Sequence, residues 1–299
     1  MSNEKLLLIV NPKSGLGLTR LYLMEMLDLM IKAGYDVTTY ITQARGDARR
    51  KVKEDGVEYD RIICSGGDGT LDEVVTGMRE AELSIPLGYV PAGSTNDFAN
   101  SLGLPGDMIK ATKVAVGKKS RLFDVGKFNE DTFVYIAAFG VFTEISYETP
   151  QELKNILGHM AYILSAAKSL ASIPNYPVKV TVDGKETKDS FIYGMITNST
   201  SVAGFHGLTG KDVKLDDGEF EVILIKGPNN PIELNEILGF LTGVIPKTQM
   251  VVTYKTKEIR IESEEEIPWT LDGEFGGNHK VVDIRNLHKK VELIVEKQS

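Results

Sequence analysis

The sequence predicts a chain of two parts: an α/β N-terminal domain on a parallel sheet, residues 1–125, and a mainly antiparallel, β-sandwich-like C-terminal domain, residues 126–299. Three observations carry this. Up to Asp124, short apolar runs alternate with amphipathic helical patterns. Beyond it, most apolar segments alternate residue by residue or are rich in β-branched side chains. The length of 299 residues is that of two ordinary domains, enough to bury full cores without disulfide or metal staples.

In chain order, Lys5–Val10 is the first strand. Its apolar run is too short for a secretory leader, and no small-residue cleavage pattern follows. A helix near Leu18–Ala33, a strand at Asp36–Ile41, a helix near Asp47–Asp55 and a strand at Arg61–Cys64 come next. Past Gly69, Leu71, Val74, Val75 and Met78 recur at helical spacing, and Leu87–Val90 supplies a fourth strand. Parallel pairing is the economical topology for that rhythm. The later strands are Pro177–Val182, Phe191–Asn198, Phe220–Lys226, Met250–Glu262 and Val291–Glu296. One helix interrupts them: Leu153, Ile156, Leu157, Met160, Ile163, Leu164, Ala167 and Leu170 follow helical spacing, closed by Pro174 and Pro177. With no repeat, low-complexity tract or flexible linker, the parts are expected to meet closely, with a cleft between them as the default site. The extreme C-terminus is left free to pack back on the first domain.

Composition removes several function classes. A hydrophobic share of 42% with 25% charged residues is that of a folded globular protein. The net charge of −8 repels polyanions, so no nucleic acid is expected as a partner. Cys64, the single cysteine, sits behind Ile62 and Ile63 and reads as a buried thiol in a reducing compartment. His159, His206, His279 and His288 are scattered and lack the spacing of a zinc site. No stretch approaches the roughly 18 apolar residues of a membrane span, so a cytoplasmic protein with at most transient, peripheral membrane contact is expected. Leu238–Ile245 with Pro246-Lys247, and basic Lys118-Lys119-Ser120-Arg121, are candidate contact surfaces; a core helix and a solvated turn explain them equally well.

The 29 glycines matter by position. Three clusters follow strands: Asn11-Pro12-Lys13-Ser14-Gly15, Ser65-Gly66-Gly67-Asp68-Gly69-Thr70, and Pro91-Ala92-Gly93-Ser94-Thr95-Asn96-Asp97. In an open parallel sheet all three lie at the carboxyl edge, where helix N-termini present unpaired amides and phosphate binds. Consecutive glycines admit a phosphate that a Cβ would hold off. Asp68 suits a Mg²⁺ between nucleotide oxygens and Thr70 can donate to phosphate, although a tight turn with Asp68 as helix cap is the bland alternative. Other nucleotide signatures fail: Gly204–Lys211 has the wrong spacing for a P-loop, and Gly15-Leu16-Gly17-Leu18-Thr19-Arg20 lacks the last glycine of a dinucleotide fingerprint.

These residues, with Phe98-Ala99, Leu102-Gly103, Asp217-Gly218 and Leu271-Asp272-Gly273-Glu274, give the chain a resemblance to the diacylglycerol kinase catalytic-domain family, which includes bacterial soluble lipid kinases and sphingosine kinases. The resemblance runs nearly end to end. It implies an NAD kinase/diacylglycerol kinase-like nucleotide domain and transfer of the ATP γ-phosphate to a lipid hydroxyl, diacylglycerol first, with ATP and Mg²⁺ as cofactors. It places nucleotide contacts at Asn11, Pro12, Lys13, Ser14, Gly15, Thr42, Gly66, Gly67, Asp68, Gly69, Thr70, Leu71, Asp72 and Thr95. It puts Asp97 and Asp124 in an acidic network, against plainer readings as a cap and a junction turn. A lipid alcohol is a poor nucleophile at neutral pH, so a carboxylate must take its proton; the resemblance assigns that base to Glu274, with Asp272 beside it and Asp68 serving Mg·ATP.

A second, structural Mg²⁺ is implied at the Asp217 turn, with Lys214 and Glu219 contributing main-chain oxygens and Asp216 able to compete as ligand, an ordinary hairpin turn being the rival. Asn100 departs from the family's frequent arginine, and Leu157-Gly158 with Ala161-Tyr162 match a helix beside the lipid site. The partner expectations are a diacylglycerol-like lipid and peripheral membrane contact, with a homodimer left open. Kinase action on a sphingoid lipid or on NAD, and a non-catalytic nucleotide- or lipid-binding regulator, are the alternatives.

Overall fold

The computed structural model describes residues 3–93, 96–141, 164, 173–198 and 214–296. The helix expected over 153–170, apart from Leu164, and the Gly204–Lys211 stretch lie outside the described residues, as do Thr95, His159 and His206. The chain forms two compact units, Met1–Val125 with His288–Ser299, and Gly126–Leu287. It therefore leaves the first unit after Val125 and re-enters it at His288.

In the first unit, β1 (Glu4–Val10), β2 (Tyr35–Ile41), β3 (Arg61–Gly66) and β4 (Leu87–Pro91) pair in parallel in the order β2-β1-β3-β4. The end of β13 (Glu274–Ile294) adds a parallel neighbour to β4 through Leu293 and Leu87. Five consecutive buried positions, Leu6 to Val10, mark β1 as covered on both faces, which is why it reads as an unbroken apolar run. The cover comes from α1 (Leu18–Lys32), α3 (Asp68–Glu80) and α5 (Met108–Ala115), with α2 (Asp47–Asp55) packed on α3, and the short α4 (Asp97–Ser101) follows the third loop. Met26 and Met30, one turn apart on α1, and Met108, Ala111 and Ala115 on α5 pack on Leu6, Leu8, Ile63 and Val90. On α3, Leu71, Val74, Val75 and Met78 are buried, as helical spacing requires. Cys64 is fully buried, and that burial pushes its thiol pKa up.

The second unit is antiparallel. β7 (Ile136–Gly140), β8 (Tyr176–Val182), β9 (Lys185–Thr197), β10 (Phe220–Lys226), β11 (Val251–Thr256) and β12 (Glu258–Leu271) join the first part of β13, and β5 (Ser120–Phe128) pairs with β6 (Asp131–Phe133). Its core centres on Trp269, whose ring lies 5.1 Å from Phe128 and 4.8 Å from Phe139. Gly194 is the register partner of Phe139, and a Cβ there would come within 2.1 Å of the ring, so glycine is what lets the aromatic lie flat on the neighbouring strand. The helix α6 (Pro231–Leu241) starts on Asn230, whose side chain accepts from the amides of Ile232 and Glu233. Among the described residues no helix is long and apolar enough to cross a membrane.

Candidate active site

Register sets the site. Val10 pairs with Ser65, Ser65 with Val90, and Gly66 with Pro91, so the carboxyl ends of β1, β3 and β4 are level and their loops emerge side by side. The backbone then stitches the loops together: Asn11 N–H donates to Ser65 O at 2.9 Å, Ala92 N–H to Gly66 O at 2.8 Å, and Thr42 N–H to Val10 O at 2.9 Å. Side chains continue the seam. Asn11 Nδ2 donates to Thr70 Oγ1 at 2.9 Å, and Gly67 N–H donates to Ser14 Oγ at 3.2 Å.

The glycines serve these loop-to-loop contacts first. A Cβ on Gly15 would lie 2.1 Å from the Ala92 carbonyl oxygen, one on Gly93 2.8 Å from Gly67 Cα, and one on Gly66 2.5 Å from Thr70 Cβ. Close approach of chain to chain thus accounts for glycine at 15, 66 and 93 without any ligand. What the packing leaves open is the start of α3, which has no side-chain cap. Asp68 begins that helix half-buried, accepting from Tyr89 Oη at 3.4 Å. Lys13, in the first loop, is exposed, and its N–H donates to Asn11 Oδ1 at 3.0 Å.

Two of the expected contact residues have buried side chains. The Leu71 side chain is in the core and its N–H donates to Gly67 O at 3.1 Å. The Thr42 hydroxyl is buried, donating to Val10 O at 3.4 Å. Gly69 and Asp72 sit half-buried in the first turns of α3. Asn96 lies in the left-handed region at φ 51° and clips the third loop by bonds to both Gly93 N–H and Gly93 O. Asp97 opens α4, and its side chain is outside the described ones. Among the described residues no three His, Cys, Asp or Glu side chains converge as a metal cage. Mg²⁺ ordinarily takes one or two carboxylates plus phosphate oxygens and waters, so Asp68 at an open helix start fits that role without a cage.

Asp124 is fully buried, and its Oδ1 accepts from His288 Nδ1 at 3.0 Å and from Lys289 N–H at 2.7 Å. A carboxylate only accepts, so Nδ1 of His288 carries the proton. Nothing in the sequence points to this pair, because the partners lie 164 positions apart.

In the second unit Asp272 and Gly273 form the β12–β13 turn, with φ of 49° and 84° and Leu271 opposite Glu274. The Asp272 carboxylate is buried and engaged on both oxygens: Oδ2 accepts from Val134 N–H at 2.6 Å, Oδ1 from Tyr135 and Ile136 N–H at 3.0 and 2.9 Å. Asp272 therefore fixes the turn rather than reaching outward, and the turn presents Glu274 exposed in the next position.

The Asp217 turn, with Gly218 at φ 80°, lies before β10. Asp217 Oδ1 accepts from Glu219 N–H at 3.1 Å and Oδ2 from Lys255 Nζ at 2.8 Å; Lys214 is exposed. Glu221 on β10 is buried, and desolvation pushes its carboxyl pKa up to about 7 against the pull of Lys255.

Two family models match the chain. Residues 5–128 match the diacylglycerol kinase catalytic domain, and 138–291 match the YegS C-terminal NAD kinase beta sandwich-like domain. A protein of Staphylococcus carnosus named diacylglycerol kinase is 36% identical over 295 residues, covering 97% of this chain and 94% of its own. One of the same name from Bacillus subtilis is 33% identical over 293 residues, covering 97% and 96%. A crystal structure titled as a diacylglycerol kinase from Bacillus anthracis superposes with a TM-score of 0.73 at 26% identity over 99% of this chain and 98% of that one. The chain belongs to the diacylglycerol kinase family, phosphotransferases whose acceptor is an alcohol.

Proposed function

We propose that the chain is an ATP- and Mg²⁺-dependent lipid kinase that phosphorylates diacylglycerol to phosphatidic acid. The observation that carries the nucleotide half is the alignment of three glycine-containing loops at one sheet edge, knit together around the uncapped start of α3. Such an edge offers backbone amides and a partial positive charge to a polyphosphate. Asp68 would hold Mg²⁺, which when bound neutralises charge between the phosphoryl oxygens. The Asn11–Thr70 and Ser14–Gly67 bonds keep the loops in place before the ligand arrives, so less ordering is left for binding to impose.

The acceptor half rests on Glu274, an exposed carboxylate at the tip of a turn that Asp272 ties to three amides. A lipid hydroxyl is a poor nucleophile at neutral pH. Glu274 takes that proton as the oxygen attacks phosphorus, and the bond to the leaving ADP oxygen breaks. Asp124 and Asp97 would contribute negative charge near the site. Diacylglycerol as acceptor is supported by the names of the relatives, and a diacylglycerol substrate implies visits to a bilayer by peripheral contact.

The test is phosphate transfer from labelled ATP into a total lipid extract, with the product identified by mass, and into NAD in parallel. Labelled phosphatidic acid is expected, and NAD should stay unlabelled. Asp68→Ala and Glu274→Ala should each lower turnover at least a hundredfold while melting close to the wild type. Unchanged activity in either variant removes that residue's role, and nucleotide binding without transfer to any lipid would make the chain a regulator instead.

A further inference from the structure

We infer that Lys255 holds the Asp217 turn as an internal cation, in place of the divalent ion that the family resemblance puts there, and that the turn needs no metal. Three oxygens were expected to bind that ion: the main-chain oxygens of Lys214 and Glu219 and the Asp217 carboxylate. Two of the three are already taken by donors of the chain itself. Asp217 Oδ2 accepts from Lys255 Nζ at 2.8 Å while Oδ1 accepts from Glu219 N–H at 3.1 Å. The Glu219 carbonyl accepts from Asn286 Nδ2 at 3.3 Å.

The ammonium also serves the surrounding charge. Lys255 Nζ stands 3.7 Å from Glu219 Oε2 and 3.8 Å from Glu221 Oε1, so three carboxylates converge on one cation. Its position is set by the sheet, since Lys255 on β11 is the register partner of Glu221 on β10. Glu221 is 7% exposed and its Oε2 has no hydrogen-bond partner among the described residues. Lys255 is the one ion-pair partner of Glu221 among the described residues. A Mg²⁺ at this turn would need about six oxygens at roughly 2.0–2.1 Å in octahedral array. It would have to expel the ammonium or tolerate a second positive charge beside it on the same carboxylate, and like charges that close repel even in water. The three rotatable N–H donors of lysine, in contrast, suit several carboxylates at loose distances.

The experiment is thermal unfolding of the full chain without nucleotide, in EDTA and in millimolar Mg²⁺, with Asp217→Asn as control. Any metal effect belongs to this turn only in so far as Asp217→Asn removes it. The expected result is no Asp217-dependent difference between EDTA and Mg²⁺ in the wild type. Lys255→Met should melt several degrees lower in both media, and Lys255→Arg, which keeps a cation there, close to the wild type. A wild-type melting point that falls in EDTA and recovers with Mg²⁺ in an Asp217-dependent way would overturn the inference, and needs no variant at Lys255 to fold. So would Lys255→Met melting like the wild type.

Discussion

Asp272 has the chemistry of a catalytic carboxylate and the surroundings of a structural one. Two oxygens meet three amides, and the residue itself sits at φ 49°, so hydrogen bonds to the charged group hold a backbone shape that a β-turn alone would hold loosely. Asp272→Asn puts an NH₂ group where an acceptor is needed, leaving at least one buried amide facing another donor. The cost expected is about 1.5–3 kcal/mol, a fall of several degrees in melting temperature by calorimetry. Lipid phosphorylation should fall with it, because the turn carries Glu274. This separates the two carboxylates: loss of activity in Asp272→Asn at an unchanged melting temperature would make Asp272 a chemical participant rather than a positioning residue. The sequence made Asp272 and Glu274 visible as a pair, since Asp-Gly between apolar strands is strong turn chemistry. Which of the two faced outward was not legible, because the three amides come from a segment more than 130 residues earlier.

At the scale of elements, the strand–loop–helix repeats of the first unit could be read directly, because each buried strand is an unbroken apolar run and each helix keeps its spacing. The long strands of the second unit could not. Met250–Glu262 reads as one strand but is two, β11 and β12, meeting at Lys257, and β12 continues to Leu271 through the acidic Glu264–Glu266. The register of β12 against β13 shifts between Glu262 and Ile267 and again between Trp269 and Thr270, so the alternation that marks a strand is broken where the strand goes on. Gly276 and Gly277 hide β13 in the same way. The glycine loops were found for a reason that is only half of the physics, since their tightest contacts are with one another. That yields a contrast. Gly15→Ala drives a Cβ to 2.1 Å from the Ala92 carbonyl at φ 56°, whereas Gly17→Ala at φ 77° meets nothing within 4 Å. Gly17→Ala should cost about 1–2 kcal/mol of left-handed strain. Gly15→Ala should cost that and separate the first and third loops, weakening ATP binding at least tenfold by calorimetric titration. Equal effects of the two substitutions would show that the loop seam does not shape the nucleotide site.

The whole molecule is organised by where the chain crosses from one unit to the other. The first unit is discontinuous: it is left after Val125 and completed only from His288 onward. The returning strand lies beside β4 and buries Val291, Leu293 and Ile294 to within 3% exposure. At roughly 1.5–3 kcal/mol apiece, those three side chains contribute about 5–9 kcal/mol. That is comparable with the whole stability of a typical domain, about 5–15 kcal/mol. Residues 1–125 alone should therefore fail to fold cooperatively, with the edge of β4 bare and open to association. The remedy is set by geometry at the crossing, since Asp124 Oδ1 is 3.0 Å from His288 Nδ1 and the two cut ends are adjacent. A short Gly/Ser linker joining 125 to 288 closes the unit with little loop entropy. The spliced protein, 1–125 followed by 288–299, should show a single unfolding transition by circular dichroism and bind ATP, and 1–125 without the strand should do neither. If the truncated form unfolds as cooperatively and at the same temperature as the spliced one, the returning strand is an ornament of the first unit and not part of its core.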